Sequence, residues 1–453
     1  MIVPTVPGLA AAAEGEWQLA AALLVPGLAL ASCGYCFRKL RPAEDLRRIE
    51  AVAALALVFI ISALVAVPGF MVLGLSFVDA CFEAVSGITT TGFSVSTQSD
   101  SWPIAAHVLR AWIQWCGGIV VAVAGLALLM DASGATRTFG EQTLGDTGYL
   151  ASTRETARVI LIGYTVLTLV GVALTLYLVD GWWEGPLVAL AAISTGGFAP
   201  QSASLANYSL TAQIVVMSLC VAGSVTLPFY AIARDRGIRY AMNSTAVRAT
   251  LSVLFLGACV YTLAYALLPH QQNNSLIEGL LNYVSAQTTA GFAVSDVPSS
   301  MPALLILIVA MVIGGDVGST SGGLKTARCL NMLYMIKLVF LRLKLPERAV
   351  THVKSDGKRI ESSALIYTAA LLGVYMLSLL LFWLILLMYG YNAMDAMFDA
   401  ASALSGVGLS TGVIGPDMAD SLKVLTIFAM LLGRLEFFAL LVLLLPSTWI
   451  KRK

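Results

Sequence analysis

Thr90-Thr91-Gly92-Phe93, Thr195-Gly196-Gly197-Phe198, Thr289-Ala290-Gly291-Phe292 and Gly406-Val407-Gly408-Leu409 are four versions of one pattern. A small or β-branched pair leads to a glycine and then to a large apolar residue. Each follows a Ser/Ala-rich approach, over 84–87, 191–194, 284–288 and 401–405. The four glycines stand about a hundred residues apart, the length of a domain-sized repeat. Glycine adopts backbone angles that bring carbonyl oxygens to one side of the chain. Rings of such carbonyls replace the water around a dehydrated potassium ion. The pattern therefore predicts four loops that meet at a cation site made of main-chain oxygen.

Composition places these loops in a membrane. The 453 residues are 58% apolar and 12% charged, against about 25% charged in soluble proteins. Apolar runs long enough to span a bilayer recur along the whole length. A net charge of +1 says nothing about nucleic acid, and with no basic arm or aromatic-basic platform no nucleic-acid partner is expected. Seven cysteines at irregular spacing imply no disulfides. Cys33 and Cys36 have redox-pair spacing but sit in an apolar run, so they read as structural. The start of the chain has no basic region of the kind that opens a cleaved leader.

The apolar runs fall into a recurring triplet: a long span, a short half-helix ending in a glycine loop, and a second long span. A lone span, 17–37, precedes the first copy. The copies comprise 51–75, 77–83 and 108–130; 159–179, 185–193 and 212–233; 249–268, 276–287 and 303–340; and 364–389, 393–404 and 422–445. The expected organisation is an N-terminal segment 1–48 followed by repeats 49–135, 136–240, 241–350 and 351–453. The half-helices are too short to cross, so each enters and returns from one side. Such backbone is tolerated at membrane depth only where it is buried in protein or lines water. The expected fold is therefore all-α and polytopic, with four pseudo-symmetric membrane–pore–membrane units around a central pore.

Lys and Arg cluster between the units, over 38–48, 137–158, 234–248 and 337–359, and again at 451–453. By the positive-inside rule these segments are cytoplasmic, and with nine spans the N-terminus lies outside. The glycine loops then enter from the outside, where acids (Asp79, Glu83, Asp100, Asp180, Glu184, Glu278, Asp296, Asp395, Asp399, Asp417 and Asp420) predict a negative vestibule. The alternative is that these acids only keep the loops soluble.

A half-helix descending from outside points its C-terminal partial negative charge at the membrane centre. A cation there meets the carbonyls of Thr90, Thr91 and Gly92; Thr195, Gly196 and Gly197; Thr289, Ala290 and Gly291; and Gly406, Val407 and Gly408. Hydroxyls of Thr90, Thr195 and Thr289 can join them, whereas Gly406 breaks the fourfold pattern. Below, the third unit is interrupted by Gly314-Gly315-Asp316-Val317-Gly318-Ser319-Thr320-Ser321-Gly322-Gly323-Leu324-Lys325. Five glycines preclude an ordinary helix in lipid, so this stretch is expected to be an irregular, flexible gate. Its likeness to a phosphate-binding loop fails, because the lysine falls one residue late and no strand precedes it. Arg434, inside an apolar span, must face water or a partner. It is expected to repel cations below the ring or to anchor the glycine-rich loop by its donor fork. Glu436, two residues on, points to another helix face. His107, His270 and His352 are dispersed, and no nucleophile or metal cluster argues for an enzyme.

These residues resemble the TrkH/KtrB/HKT superfamily of potassium transporters, specifically the TrkH-type subunit. The resemblance covers about 45–445 and rests on Ser86 to Gly92, Gln114 to Gly118, Ile193 to Phe198, Gly314 to Lys325, Ser405 to Ser410 and Gly433 to Glu436. It implies a potassium filter of four glycines, matching Gly92, Gly197, Gly291 and Gly408, and a gate of Gly314, Gly315, Gly318, Gly322, Gly323 and Lys325 beside Arg434. It also implies a homodimer in the plasma membrane of a prokaryote and a cytosolic TrkA-like nucleotide-binding regulatory subunit. No bound cofactor is implied, and potassium is the substrate. Relatives carry two extra N-terminal spans where this chain shows one apolar run, so a truncated start or a shorter branch is expected. The rival reading is a cation-coupled secondary transporter with a midplane site.

Overall fold

Pro4 and Pro7 hide a helix at the start of the chain. In the computed structural model, helix α1 (Ile2–Glu14) precedes α2 (Trp17–Phe37). The structure describes residues 2–37, 48–131, 153–267, 275–298, 300–344, 346, 354–355, 358–359 and 362–445. Of the basic connecting residues, Arg38, Lys39, Arg41, Arg47, Arg137 and Arg348 lie outside these, as do His270, His352 and the basic end 451–453. The lone expected N-terminal span is α2, and a short helix that the sequence did not announce, α1, stands before it. At 13 residues α1 is too short to show as a span. It packs on α2, with Gly8 against Leu24 and Pro4 against Gly27. Glu14 accepts the Ala105 N–H (3.1 Å), placing an acid at the N-terminus of a later spanning helix.

The expected triplets follow. The first is α3 (Arg48–Val72), α4 (Phe77–Ile88) and α5 (Ile104–Asp131). The second is α6 (Thr153–Leu178), α7 (Glu184–Ile193), α8 (Leu210–Ser224) and α9 (Pro228–Arg236). A one-turn helix, α10 (Ile238–Met242), leads to α11 (Thr245–Leu267), α12 (Leu276–Thr288), α13 (Met301–Ile313) and α14 (Thr326–Lys344). A two-stranded ribbon, Lys354–Ser355 with Lys358–Arg359, precedes α15 (Ser362–Met388), α16 (Ala393–Ser405), α17 (Asp420–Arg434) and α18 (Phe438–Leu444).

Six described helices, within α2, α3, α5, α6, α11 and α15, are long and apolar enough to cross a membrane. Their outer faces expose residues such as Leu169, Phe255 and Ile366, as lipid contact requires. The other three expected spans are each broken. The break at 314–325 was expected. Those inside 212–233 and 422–445 were not. Pro228 lacks an N–H and its ring clashes with the preceding turn, so the chain bends by 89° between α8 and α9. After Arg434, Glu436 (φ 52°) and Phe437 (φ 60°) turn left-handed and stop α17. The short helices α4, α7, α12 and α16 form the most deeply buried layer, inside the ring of long ones. Lys423 of α17 reaches Asp79 of α4 (2.6 Å) and so closes the fourth unit onto the first.

Candidate functional site

Each half-helix ends in the same way. A backbone N–H bonds back to the carbonyl five residues earlier: Thr91 to Ser86 (2.9 Å), Gly196 to Ala191 (2.8 Å), Ala290 to Ser285 (2.9 Å) and Val407 to Ser402 (2.9 Å). The residue just before each of these donors is left-handed: Thr90 (φ 54°), Thr195 (φ 50°), Thr289 (φ 56°) and Gly406 (φ 64°). This is a Schellman termination, which ordinarily uses glycine. A β-branched residue at positive φ is strained, by about 1–3 kcal/mol each. Two residues on, Gly92 (φ 90°), Gly197 (φ 80°), Gly291 (φ 76°) and Gly408 (φ 91°) turn left-handed again. Alternating φ signs flip successive peptide planes, so carbonyls on both sides of the central residue share one direction.

The four tips meet. A methyl group on Gly92 would overlap the Gly196 carbonyl oxygen, one on Gly197 that of Ala290, one on Gly291 that of Val407, and one on Gly408 that of Thr91. The contacts run from tip to tip and return to the first, so the four tips close into one ring. An open cavity of about 440 Å³ leads to the ring, lined by the four glycines together with Ser94, Ser295, Ser410, Asp296 and Arg110.

The acids expected to make this vestibule negative are mostly engaged elsewhere. Glu83 and Asp399 are fully buried. Glu83 accepts Ser94 Oγ (2.6 Å) and faces Arg110 (3.7 Å). Asp399 accepts Ser410 Oγ (2.6 Å) and the Ile414 N–H (2.7 Å). Asp79 pairs with Lys423, Glu278 caps α12, and Asp100 holds Ser202 (2.6 Å). Glu184 accepts the Tyr208 hydroxyl (2.5 Å), and burial followed by this bond pushes the Tyr208 pKa up. Asp296 alone among the predicted acids lines the cavity, facing it together with a cation, Arg110. The reason for the two buried ones is chemical: N–H groups after the first and fourth tips need acceptors more than the cavity needs charge.

On the other side of the ring lies the 314–325 segment. Gly322 N–H donates to Thr289 Oγ1 (2.6 Å), and Gly323 N–H to the Ser405 carbonyl (2.9 Å). Thr320 Oγ1 bonds the carbonyls of Ile193 (2.8 Å) and Gly223 (3.0 Å) and approaches Thr195 Oγ1 (3.5 Å). The segment thus hangs from tips two, three and four. Its ends are pinned where Gly314 and Gly323 abut, with Gln287 Nε2 on the Gly314 carbonyl (2.7 Å). Gly315 packs on Ser224, the Gly318 carbonyl takes the Leu227 N–H (3.1 Å), and Lys325 Nζ bonds the Ser321 carbonyl. Arg434 is buried and donates Nη1 to the Thr320 carbonyl (2.9 Å), so it anchors the loop as its position suggested. Glu436 indeed pairs elsewhere, with Arg328 (2.6 Å). The break at 225–227 and the cap at Gln287 went unread in the sequence. Pro228 was the available signal for the first, and a lone glutamine on a half-helix carries none.

The pattern that defines the family described as "TrkH: Cation transport protein" matches residues 69–255 and 240–452. The chain belongs to the TrkH family. The Trk system potassium uptake protein TrkH of Halomonas elongata is 30% identical over 468 residues, covering 97% of this chain and 94% of that protein. An uncharacterized cation transporter of Methanocaldococcus jannaschii is 28% identical over 428 residues, 93% of this chain and 87% of its own length. The crystal structure of the potassium transporter TrkH from Vibrio parahaemolyticus superposes with a TM-score of 0.83 at 24% identity, over 99% of this chain and 98% of that one. That likeness shows the fold. As a TrkH-family member with many apolar helices, the chain is a multi-pass membrane transporter of the prokaryotic type, and the enzyme readings fall away.

Proposed function

We propose that the protein is a potassium uptake pore whose filter is the ring of four glycine turns. One observation carries this: each of Gly92, Gly197, Gly291 and Gly408 abuts a carbonyl of the neighbouring tip, so the main-chain oxygens converge. The names of relatives such as the Halomonas protein support potassium as the ion. Three threonines are retained in left-handed backbone where glycine would be relaxed, which suits a need for their hydroxyls beside the ion. On this reading 314–325 is the gate, held shut by Arg434. The vestibule faces outside, and the basic segments lie in the cytoplasm. A membrane potential supplies about 2.3 kcal/mol per 100 mV for each inward charge. The family resemblance extends the proposal to a homodimer controlled by a cytosolic TrkA-like nucleotide-binding subunit.

Tracer flux from purified protein in liposomes tests the ion: potassium over sodium is expected, and a preference for sodium overturns the assignment. Gly92→Ser lowers that preference, because its side chain strikes the Gly196 carbonyl. A variant as selective as the parent removes residues 90–92 from the filter. The cation-coupled reading keeps one observation in its favour. Asp316, fully buried at the root of the loop, takes the Val317 N–H (2.7 Å) but leaves Oδ2 without a partner among the described residues. Potassium movement driven by an imposed proton gradient, with no potassium gradient or potential, is the result that selects it.

A further inference from the structure

Three tips are tied down by their own half-helix, and the second is not. Nine residues before the glycine stand Glu83, Asn282 and Asp399; three residues after it stand Val95, Val294 and Thr411. In each case the earlier side chain accepts the later N–H: Glu83 from Val95 (2.9 Å), Asn282 from Val294 (2.9 Å) and Asp399 from Thr411 (2.8 Å). These clamps fix the strand that leaves the ring. In the second unit the same two positions are Val188 and Pro200. Valine offers no acceptor and proline no N–H, so both halves of the clamp are missing.

Gln114 stands in their place. It comes from α5, in the first unit, and its side chain is fully buried. Nε2 donates to the Gly196 carbonyl (2.5 Å), and Oε1 accepts the Phe198 N–H (3.2 Å). The amide therefore straddles Gly197 and holds the residues on either side of it. A methyl group on Gly196 would strike this amide, so the seat has no slack. The effect on the ring is unequal. No hydrogen bond reaches the carbonyls of Thr91, Ala290 or Val407 among the described residues, whereas Gly196 shares its oxygen with an amide. A carbonyl has two lone pairs, and this one keeps a single free direction.

We propose that Gln114 is the positioning residue of the second tip and, through the Gly196 carbonyl, a determinant of ion selectivity. The proposal rests on reading the ring as the potassium filter. Gln114→Ala removes both bonds. Gln114→Glu keeps the acceptor for Phe198 and sets a second oxygen against the Gly196 carbonyl. The measurement is potassium and sodium tracer flux from each purified variant in liposomes, beside its thermal midpoint in detergent. Two lost bonds at about the usual net strength lower the potassium-to-sodium ratio of Gln114→Ala about tenfold, and Gln114→Glu lowers it at least as far. Adding Val188→Asn with Pro200→Thr to the alanine variant installs the clamp of the third and fourth units and returns the ratio. A purely structural glutamine would shift the midpoint and total flux but not the ratio. Unchanged ratios in both single variants overturn the proposal. A loss with alanine but not with glutamate overturns the role of the Gly196 bond. A parent with no potassium preference sinks the filter reading itself, which the parent's own flux separates from the role of Gln114.

Discussion

The first unit and the other three leave the ring differently. α5 runs 28 residues from Ile104 to Asp131 without a break, while the corresponding helices of units two, three and four stop at Ser224, Ile313 and Arg434. The three breaks face one another. The Asp316 N–H meets the Ser224 carbonyl (2.9 Å), the Leu227 N–H meets Gly318, and Arg434 meets Thr320. The loop consequently bonds tips two to four from below, and no bond to it reaches the first tip among the described residues. Thr90 Oγ1, buried there, has no partner among the described residues. The first unit is braced from the opposite side by Lys423 on Asp79 and Arg110 beside Glu83. Breaking three helices frees the main-chain groups that a gate can hold. Keeping one whole leaves a fixed wall.

Lys423→Met removes the brace on the first unit while leaving the loop alone. Its pair is buried on the lysine side and 20% exposed on the aspartate side, so a loss of about 2 kcal/mol is expected, below the range for fully buried pairs. The thermal midpoint should fall with basal flux unchanged. Arg434→Ala does the reverse. It strips a charge-assisted bond from the closed loop, and about 1.5 kcal/mol raises basal potassium flux about tenfold; unchanged flux undoes the gate. Thr289→Val deletes the neutral acceptor of Gly322 N–H, for a rise of about fivefold at roughly 1 kcal/mol. Thr289→Ser retains it and should behave as the parent. Thr90→Val, which loses a filter hydroxyl but no bond to the loop, should show no rise in basal flux, and a rise matching Thr289→Val would erase the contrast between the units.

The units and tips were legible in the sequence because glycine at fixed phase, after a Ser/Ala-rich half-helix, has few other uses. The loop was legible because five glycines cannot lie in a lipid-facing helix. Arg434 was legible by its cost in an apolar span. Other features were hidden by being pairwise. Glu83 read as a vestibule charge, since nothing in its neighbourhood announces that the Val95 N–H lacks a partner. Gln114 stood in a stretch that carried the resemblance, but its bonds were not legible, because its meaning depends on a valine and a proline more than seventy residues away. α1 was lost because a proline-containing run of 13 residues resembles neither a span nor a capped soluble helix.

The contact between Gly408 and Thr91, with Lys423 on Asp79, joins residues more than three hundred positions apart. Such closure comes late in synthesis, since the loop it completes takes in most of the chain. A nascent protein emerging from the ribosome up to about residue 390 would hold three strained threonine turns with a gap between the third and the first. The fourth wall of the ring, Gly406 to Leu409, is thus supplied only when the last of the four half-helices joins the other three.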